Sequence, residues 1–79
     1  SSPTFVISPN PAHGLIQISA AGQQIQKVQL LNTQGKKVFE INTKTNNTIT
    51  LDLSKYQKGV YFIDLQTDKG SALEKLVLE

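Results

Sequence analysis

The chain has 79 residues, of which 38% are apolar and 18% charged, so it suits one small domain with a thin core and is too apolar for a disordered segment. All eight basic residues are lysines and the net charge is only +2, which disfavours nucleic-acid binding, where arginine usually contacts phosphate and guanine. The absence of cysteine excludes disulfides, thiolate metal sites and cysteine catalysis. No apolar run reaches the about 18 to 20 residues that a membrane helix needs.

Near its start the chain carries Ser8-Pro9-Asn10-Pro11-Ala12, followed by Gly14. We call residues 8–12 the proline bracket. Proline fixes φ, lacks a backbone N–H and pushes the preceding residue towards extended geometry. No helix or central strand can therefore pass through the bracket. Its position after the short apolar run 5–7 indicates the start of a β domain.

The remainder of the chain predicts β-structure throughout. Alternation is clearest at 48–53, where Ile49, Leu51 and Leu53 face one way. A small, polar break at 20–24 and a polar loop at 42–47 separate neighbouring strands. About seven short strands, at spacings of about 8 to 12 residues, predict an antiparallel β-sandwich. Their spans are 5–7, 14–19, 25–31, 36–41, 48–53, 60–66 and 71–78.

Three turns are predicted between residues 32 and 70. The segment 32–35 predicts a tight hairpin turn with Gly35 at a positive-φ position, and 68–70 predicts a second hairpin turn that ends at Gly70. The segment 54–59 predicts a single turn or a short 3₁₀ crossing closed by Gly59. Tyr61 then has the position of a tyrosine corner, whose hydroxyl bonds to backbone upstream.

The sequence does not indicate an enzyme. The single histidine, His13, lies in a turn without a cysteine or histidine partner for a metal. Asp52, Asp64 and Asp68 are too scattered for a calcium loop or a carboxylate pair. No serine lies in a Gly-x-Ser-x-Gly elbow and no glycine cluster forms a phosphate loop. We therefore expect no catalytic residue, metal or cofactor.

Carbohydrate binding lacks its usual signal as well. β-Sandwich modules that hold sugars generally present a flat aromatic platform. This chain has no tryptophan, and Tyr61 is assigned to the corner, which leaves Tyr56 in the crossing turn. One ring does not make a platform.

Four segments of the chain form an ordered set: Pro9-Asn10-Pro11-Ala12 with Gly14, 28–38, Leu53 to Phe62 with Gly59-Val60-Tyr61, and Lys75-Leu76-Val77. Together they resemble the type A C-terminal sorting domain of proteins exported by the bacterial type IX secretion system. The resemblance covers residues 5–78, and its specificity comes from the order and spacing of the segments. Two positions depart from the family pattern: Ser8 stands where an aromatic is frequent, and Asn32 where aspartate is usual.

The resemblance implies an immunoglobulin-like sandwich with a delivery function. Residues 5–79 would form the sorting domain, and residues 1–4 would be a linker stub near a cleavage site. The domain would direct an N-terminally fused cargo from the periplasm across the outer membrane. A sortase-type peptidase would then remove it, and the cargo would be attached to the cell surface or released. Nucleic acid and membrane insertion are not expected, and the domain would be a monomer or weak dimer.

Recognition by a translocon subunit is expected at the two ends of the domain. The bracket offers a rigid surface, and the last strand offers an edge for strand addition. The alternative for each is structural: the bracket is only a turn that sets the register of the next strand, and the last strand only completes a sheet. The candidate residues are Pro9, Asn10, Pro11, Ala12, Gly14, Lys75, Leu76, Val77 and Leu78.

The alternative function is that of an accessory module of a secreted enzyme. An immunoglobulin-like or fibronectin-like domain of this size can act as a spacer, an adhesive domain or a carbohydrate-binding module. Position discriminates between the two functions, because a sorting domain must lie at the extreme C-terminus of an exported protein.

Overall fold

A computed structural model describes residues 4–79 and contains five β-strands. Residues 1–3, most of the predicted linker stub, lie outside the described residues. Within residues 4–79 no helix has the length and apolar character needed to cross a membrane. The strands are β1 (Val6–Ser8), β2 (Leu15–Leu31), β3 (Lys37–Asp52), β4 (Gly59–Thr67) and β5 (Gly70–Leu78).

Strand β2 organises the sheet, because three other strands pair with it in antiparallel fashion. β1 pairs with its first part, where Ile7 is opposite Ile18, and β4 with its last part, where Leu30 is opposite Ile63. β3 pairs along both parts, and β5 extends the order β1-β2-β4-β5 by pairing with β4. The prediction of an all-β antiparallel fold is confirmed.

The predicted count of seven strands is wrong, because two predicted breaks lie inside strands. Residues 20–24 belong to β2 and residues 42–47 to β3, and the two segments face each other with Gln24 opposite Asn46. The register shifts between Ser19 and Gln24, where the Gly22 N–H donates to Asn47 Oδ1 at 3.1 Å. Extra residues at a bulge bend a strand and increase its twist. The polar residues therefore form a bend, and two long strands replace four short ones.

The bend curls the sheet around one apolar core. Ile16 and Ile18 before the bend, and Val28 and Leu30 after it, are all buried in the same cluster. Alternate residues of β4 complete it, as the period of two predicts. The two halves of the curled sheet thus face each other as the layers of a sandwich do. The core consists of Phe5, Ala12, Ile16, Ile18, Ala20, Ile25, Val28, Leu30, Leu51, Leu53, Tyr61, Ile63, Leu65, Leu76 and Leu78.

Both hairpin turns form where the sequence predicts them. In the first, Asn32 Oδ1 accepts from the Gln34 and Lys36 N–H groups at 2.9 and 3.0 Å, and Gly35 has φ of +81°. An asparagine thus caps this turn as an aspartate would, and the departure at position 32 keeps the turn chemistry. In the second, β4 ends at Thr67 and β5 begins at Gly70, which leaves a two-residue loop.

The predicted tyrosine corner is present at the start of β4. The Tyr61 hydroxyl donates to the Gln57 carbonyl oxygen at 2.6 Å, and its ring is buried. The crossing that precedes it is a turn, closed by the Tyr56 N–H to the Leu53 carbonyl at 3.1 Å. The corner therefore connects the crossing turn to the start of β4.

Replacing Tyr61 with Phe tests the corner. The ring would stay in the core while the hydrogen bond to Gln57 is lost, so we expect the free energy of unfolding to fall by about 1 kcal/mol. Urea denaturation of the two proteins measures the difference. An unchanged midpoint would mean that the hydroxyl adds nothing to stability.

A polar cluster on β2 and β3 centres on the Glu40 carboxylate. Lys37 Nζ lies 2.9 Å from Glu40 Oε1, Asn42 Nδ2 donates to Oε2 at 3.1 Å, and Gln29 Nε2 donates to Oε1 at 3.0 Å. The Lys37 hydrogen bond, followed by that of Asn42, lowers the pKa of Glu40 from 4.5 to about 2. The folded protein therefore favours the ionised form of the Glu40 side chain.

The lowered pKa of Glu40 predicts a pH dependence of stability. A group whose pKa falls on folding stabilises the fold above its unfolded pKa, and this contribution disappears as the pH falls from 4.5 to about 2. We expect the stability difference between the wild type and Glu40→Gln to be largest above pH 5 and to shrink towards pH 2. Urea midpoints at several pH values measure it, and a constant difference would contradict the prediction.

Candidate recognition site

The proline bracket lies against the end of β5, so the two predicted recognition segments form one surface. Asn10 Nδ2 donates to the Lys75 carbonyl at 2.9 Å, and Asn10 Oδ1 accepts from the Val77 N–H at 3.1 Å. The Ala12 N–H donates to the Val77 carbonyl at 2.8 Å, and the Ala12 carbonyl accepts from the Glu79 N–H at 2.8 Å. We call the surface formed by residues 9–12 and 75–79, which these four hydrogen bonds join, the clasp.

The side chain of Asn10 stands in for a backbone peptide group in the clasp. A primary amide carries a donor and an acceptor side by side, as does one residue of a strand. Pro9 and Pro11 have no backbone N–H and cannot themselves donate to β5. Both the Ser8–Pro9 and the Asn10–Pro11 peptide bonds are cis. The segment thus pairs with β5 through the side chain of Asn10 and the backbone of Ala12.

Residues 12–14 fix the bracket to the body of the domain. Ala12 is fully buried and forms a parallel bridge with Leu78. The Gly14 carbonyl accepts from the Leu53 N–H at 2.9 Å. Gly14 has φ of +151°, in a region that favours glycine, and a Cβ there would lie 3.4 Å from the Cβ of Ser54. A side chain at position 14 would therefore strain the backbone next to the crossing turn.

The predicted recognition residues divide between the surface and the core. Ala12, Leu76 and Leu78 are buried in the core, and Gly14 is buried beside Ser54. Val77 is half-buried on the opposite face of β5. The exposed members are Pro9, Asn10, Pro11 and Lys75.

The last strand is predicted to offer an edge for strand addition, and the backbone groups of its final residues are already bonded on that edge. Successive residues of an antiparallel strand direct their backbone groups to alternate sides. On the side away from β4, backbone groups of Lys75, Val77 and Glu79 form hydrogen bonds with the bracket. No described strand pairs with that edge further back, at Ser71 and Leu73. The edge that remains for strand addition is therefore short.

An apolar patch covers the outer face of β2, β4 and β5, beside the clasp. Phe62 lies at its centre, opposite Leu31 on β2 and Lys75 on β5. A groove of about 150 Å³ runs beside the Phe62 ring. We call this surface the outer apolar face; it consists of Leu31, Val60, Phe62, Leu73 and Val77.

The aromatic residues of the crossing turn form a stacked pair. The Tyr56 ring lies 5.6 Å from that of Phe39 at an interplanar angle of 15°, and Lys55 Nζ lies 5.5 Å from the Tyr56 ring. Both rings are half-buried against the core. Tyr56 is thus a packing residue that closes the side of the domain below the crossing turn.

The residues considered for catalysis are scattered or engaged in turns. His13 is exposed, with Nδ1 3.3 Å from the Glu79 backbone oxygen. Asp52 accepts from the Ser54 N–H at 3.0 Å, and the hydrogen bonds of Ser54 lower the pKa of Asp52. Within residues 4–79 no three His, Cys, Asp or Glu side chains lie close enough together to hold a metal ion.

Sequence reasoning missed one buried polar pair, Gln23 and Thr67. Gln23 lies in the predicted break at 20–24, where a glutamine is expected to be exposed. Its only signal in the sequence is its place two residues before the buried Ile25, which puts it on the core face of the strand.

The fold is shared with a solved structure of another protein. The crystal structure of CopC from Methylosinus trichosporium OB3b superposes with a TM-score of 0.57, covering 94% of this chain and 88% of that chain at 19% sequence identity. At this identity the likeness concerns the fold alone. No curated protein matches the sequence at a significant level.

A family model agrees with the resemblance found in the sequence. The model described as "Secretion system C-terminal sorting domain" matches residues 6–79, nearly the whole chain. The family consists of sorting signals, not of known enzymes. The chain therefore belongs to the type IX secretion C-terminal sorting domains, and the protein that carries it is secreted or displayed at the cell surface after passing through the outer membrane.

Proposed function

We propose that a subunit of the type IX translocon reads the clasp and carries the N-terminally fused cargo across the outer membrane. A sortase-type peptidase then cuts upstream of β1, and the cargo is attached to the cell surface or released. In this proposal residues 1–4 are the linker next to the cut and residues 5–79 the sorting domain. The burial of Phe5 next to the exposed Thr4 supports this division.

The observation that carries the proposal is the contact between segments distant in sequence. Asn10 bonds to residues that lie 65 and 67 positions later in the chain. Both segments belong to the motif set that resembles the family, and they meet only once the domain has folded. The signal that the translocon reads is therefore a folded surface.

The exposed part of the clasp defines the chemistry of the partner. The rings of Pro9 and Pro11 are rigid and apolar and suit an aromatic-lined groove. Lys75 is exposed, lies opposite Phe62 of the outer apolar face and bonds to Asn10 through its carbonyl, and its charge favours an acidic group on the partner. The short open edge at Ser71 and Leu73 adds backbone groups for a partner strand.

Replacing Asn10 with Ala tests the clasp as a structural element. The change removes two hydrogen bonds at an exposed site, so we expect the free energy of unfolding to fall by about 1 to 2 kcal/mol. Asn10→Asp is a second variant, which keeps an acceptor for the Val77 N–H and replaces the donor to the Lys75 carbonyl with a carboxylate oxygen that this carbonyl repels. Urea denaturation should rank the wild type above Asn10→Asp and Asn10→Ala. Equal stability of all three would contradict the structural role.

An export assay tests recognition separately from stability. Deleting residues 75–79 would remove Leu76 and Leu78 from the core, so an exposed substitution is the sharper test. We expect Lys75→Glu to reduce the amount of extracellular cargo several-fold with cargo held in the periplasm, because it reverses a charge in the clasp. The control is Lys44→Glu, the same change at an exposed lysine in the middle of β3.

Pro9→Ala and Pro11→Ala together provide a second comparison in the same assay. Reduced export at unchanged stability would mean that a partner reads the proline rings, whereas reduced stability with normal export would mean that the bracket is only a turn. If Lys75→Glu and the double proline variant were both exported normally, recognition at the clasp would be wrong.

A further inference from the structure

Gln23 is a buried amide that joins the beginning of the domain to a distant turn. Its Nε2 donates to the Thr4 carbonyl oxygen at 3.0 Å, and its Oε1 accepts from the Thr67 hydroxyl at 2.8 Å. Gln23 is 9% exposed and Thr67 6%. Because a buried amide without partners is costly, these two contacts hold the side chain in one orientation.

The β4–β5 turn, which follows Thr67, is itself fixed by hydrogen bonds. Thr67 Oγ1 accepts from the Lys69 N–H at 3.0 Å inside the β4–β5 turn. Next to Gln23, the Gln24 N–H donates to Asp68 Oδ1 at 2.8 Å, and the Gln24 carbonyl accepts from the Asp68 N–H at 3.1 Å. The residues next to the Gln23 side chain are therefore fixed by hydrogen bonds to and within the β4–β5 turn.

The chain after Thr4 is held by two further interactions. Phe5 is buried in the core, and Val6–Ser8 pairs with β2 as strand β1. A peptidase binds its substrate as an extended segment that spans the scissile bond, so a segment already paired in a sheet must open locally before it can be cut. Pairing protects the bonds of Val6–Ser8 in this way, and the two preceding residues are held by the burial of Phe5 and by the hydrogen bond to the Thr4 carbonyl.

We propose that Gln23 is a positioning residue that confines cargo release to bonds N-terminal to Thr4. It anchors the Thr4 carbonyl, and this keeps Phe5 and β1 on the domain while the peptidase acts on the chain upstream. The proposal rests on the proposed function, since it assumes that the domain is removed by a peptidase. The boundary between cargo and sorting domain is thus set by a side chain of β2, outside every motif segment of the resemblance.

Limited proteolysis by thermolysin under native conditions tests the anchor without any secretion machinery. The substrate is the full chain fused behind a folded reporter cargo, and mass spectrometry identifies the cuts. Thermolysin cuts on the amino side of bulky apolar residues, so the bonds before Phe5, Val6 and Ile7 report opening of β1. Cuts before Ile63 and Leu65, in the core of β4, report global unfolding.

We expect Gln23→Ala to accelerate cutting before Phe5, Val6 and Ile7 about tenfold relative to cutting before Ile63 and Leu65, because the anchoring hydrogen bond is lost. Thr67→Val, which removes the hydroxyl that orients the amide, should act in the same direction with a smaller effect. Gln26→Ala, at an exposed glutamine of the same strand, should match the wild type. A rise of the same size at both sets of bonds, or no rise at all, would overturn the anchoring role.

Processing in a host with a type IX system tests the consequence for release. The wild-type domain should begin at or before Thr4 after cleavage, whereas cleavage of Gln23→Ala should spread into residues 4–8. An unchanged cleavage site in Gln23→Ala, despite faster thermolysin cutting, would overturn the role in release. If the wild type itself were neither exported nor cleaved, the proposed function would fail, and the thermolysin pattern would still decide whether Gln23 anchors the chain.

Discussion

The fold depends on the continuous pairing of β2 through its bend. This strand holds β1, β3 and β4, and the bulged segment 20–24 turns its direction without breaking the strand. Its first part therefore lines one side of the core and its second part the other. A domain of 79 residues has little apolar area to bury, and curling one sheet on itself uses both halves of each long strand for the same core.

The clasp covers part of the strand edge that the curled sheet leaves exposed. Curling leaves the last strand with an exposed edge, and exposed edges are sites of unwanted pairing between chains. The bracket covers the final part of that edge and presents prolines, which cannot donate to a further strand. Pro9, Asn10 and Pro11 thus cover the edge while remaining exposed, and the two proline rings make this part of the surface rigid.

Side-chain amides and carboxylates make several of the connections that a larger domain would make by packing. Asn10 joins the bracket to β5, Asn32 closes the first hairpin, and Gln23 joins Thr4 to Thr67. Asp68 connects the second hairpin turn to β2. Each of these groups bonds at least one backbone atom, so they fix the path of the chain where the thin core cannot. The proposed function requires this rigidity, because the clasp joins residues from both ends of the chain.

Residue types and their local spacing were enough to predict that the chain forms β-strands. They were also enough to predict the two hairpin turns and the tyrosine corner. Alternation has a period of two wherever one face of a strand is buried, and Gly35 and Tyr61 act on neighbours within a few residues. The order of the motif segments was likewise enough to predict the family. These features depend on residues close together in the chain or on their order along it.

Tertiary structure alone decided which segments meet. The small and polar residues at 20–24 and the polar residues at 42–47 look like loops in the sequence, and they form a bend because the two segments pair with each other in the β2–β3 ladder. The amide of Asn10 replaces a peptide group only because β5 ends beside it, and Gln23 is buried only because Thr4 and Thr67 converge on it. Sequence patterns record which face of a strand a residue occupies; they do not record its partner across the fold, since that depends on contacts between residues far apart in the chain.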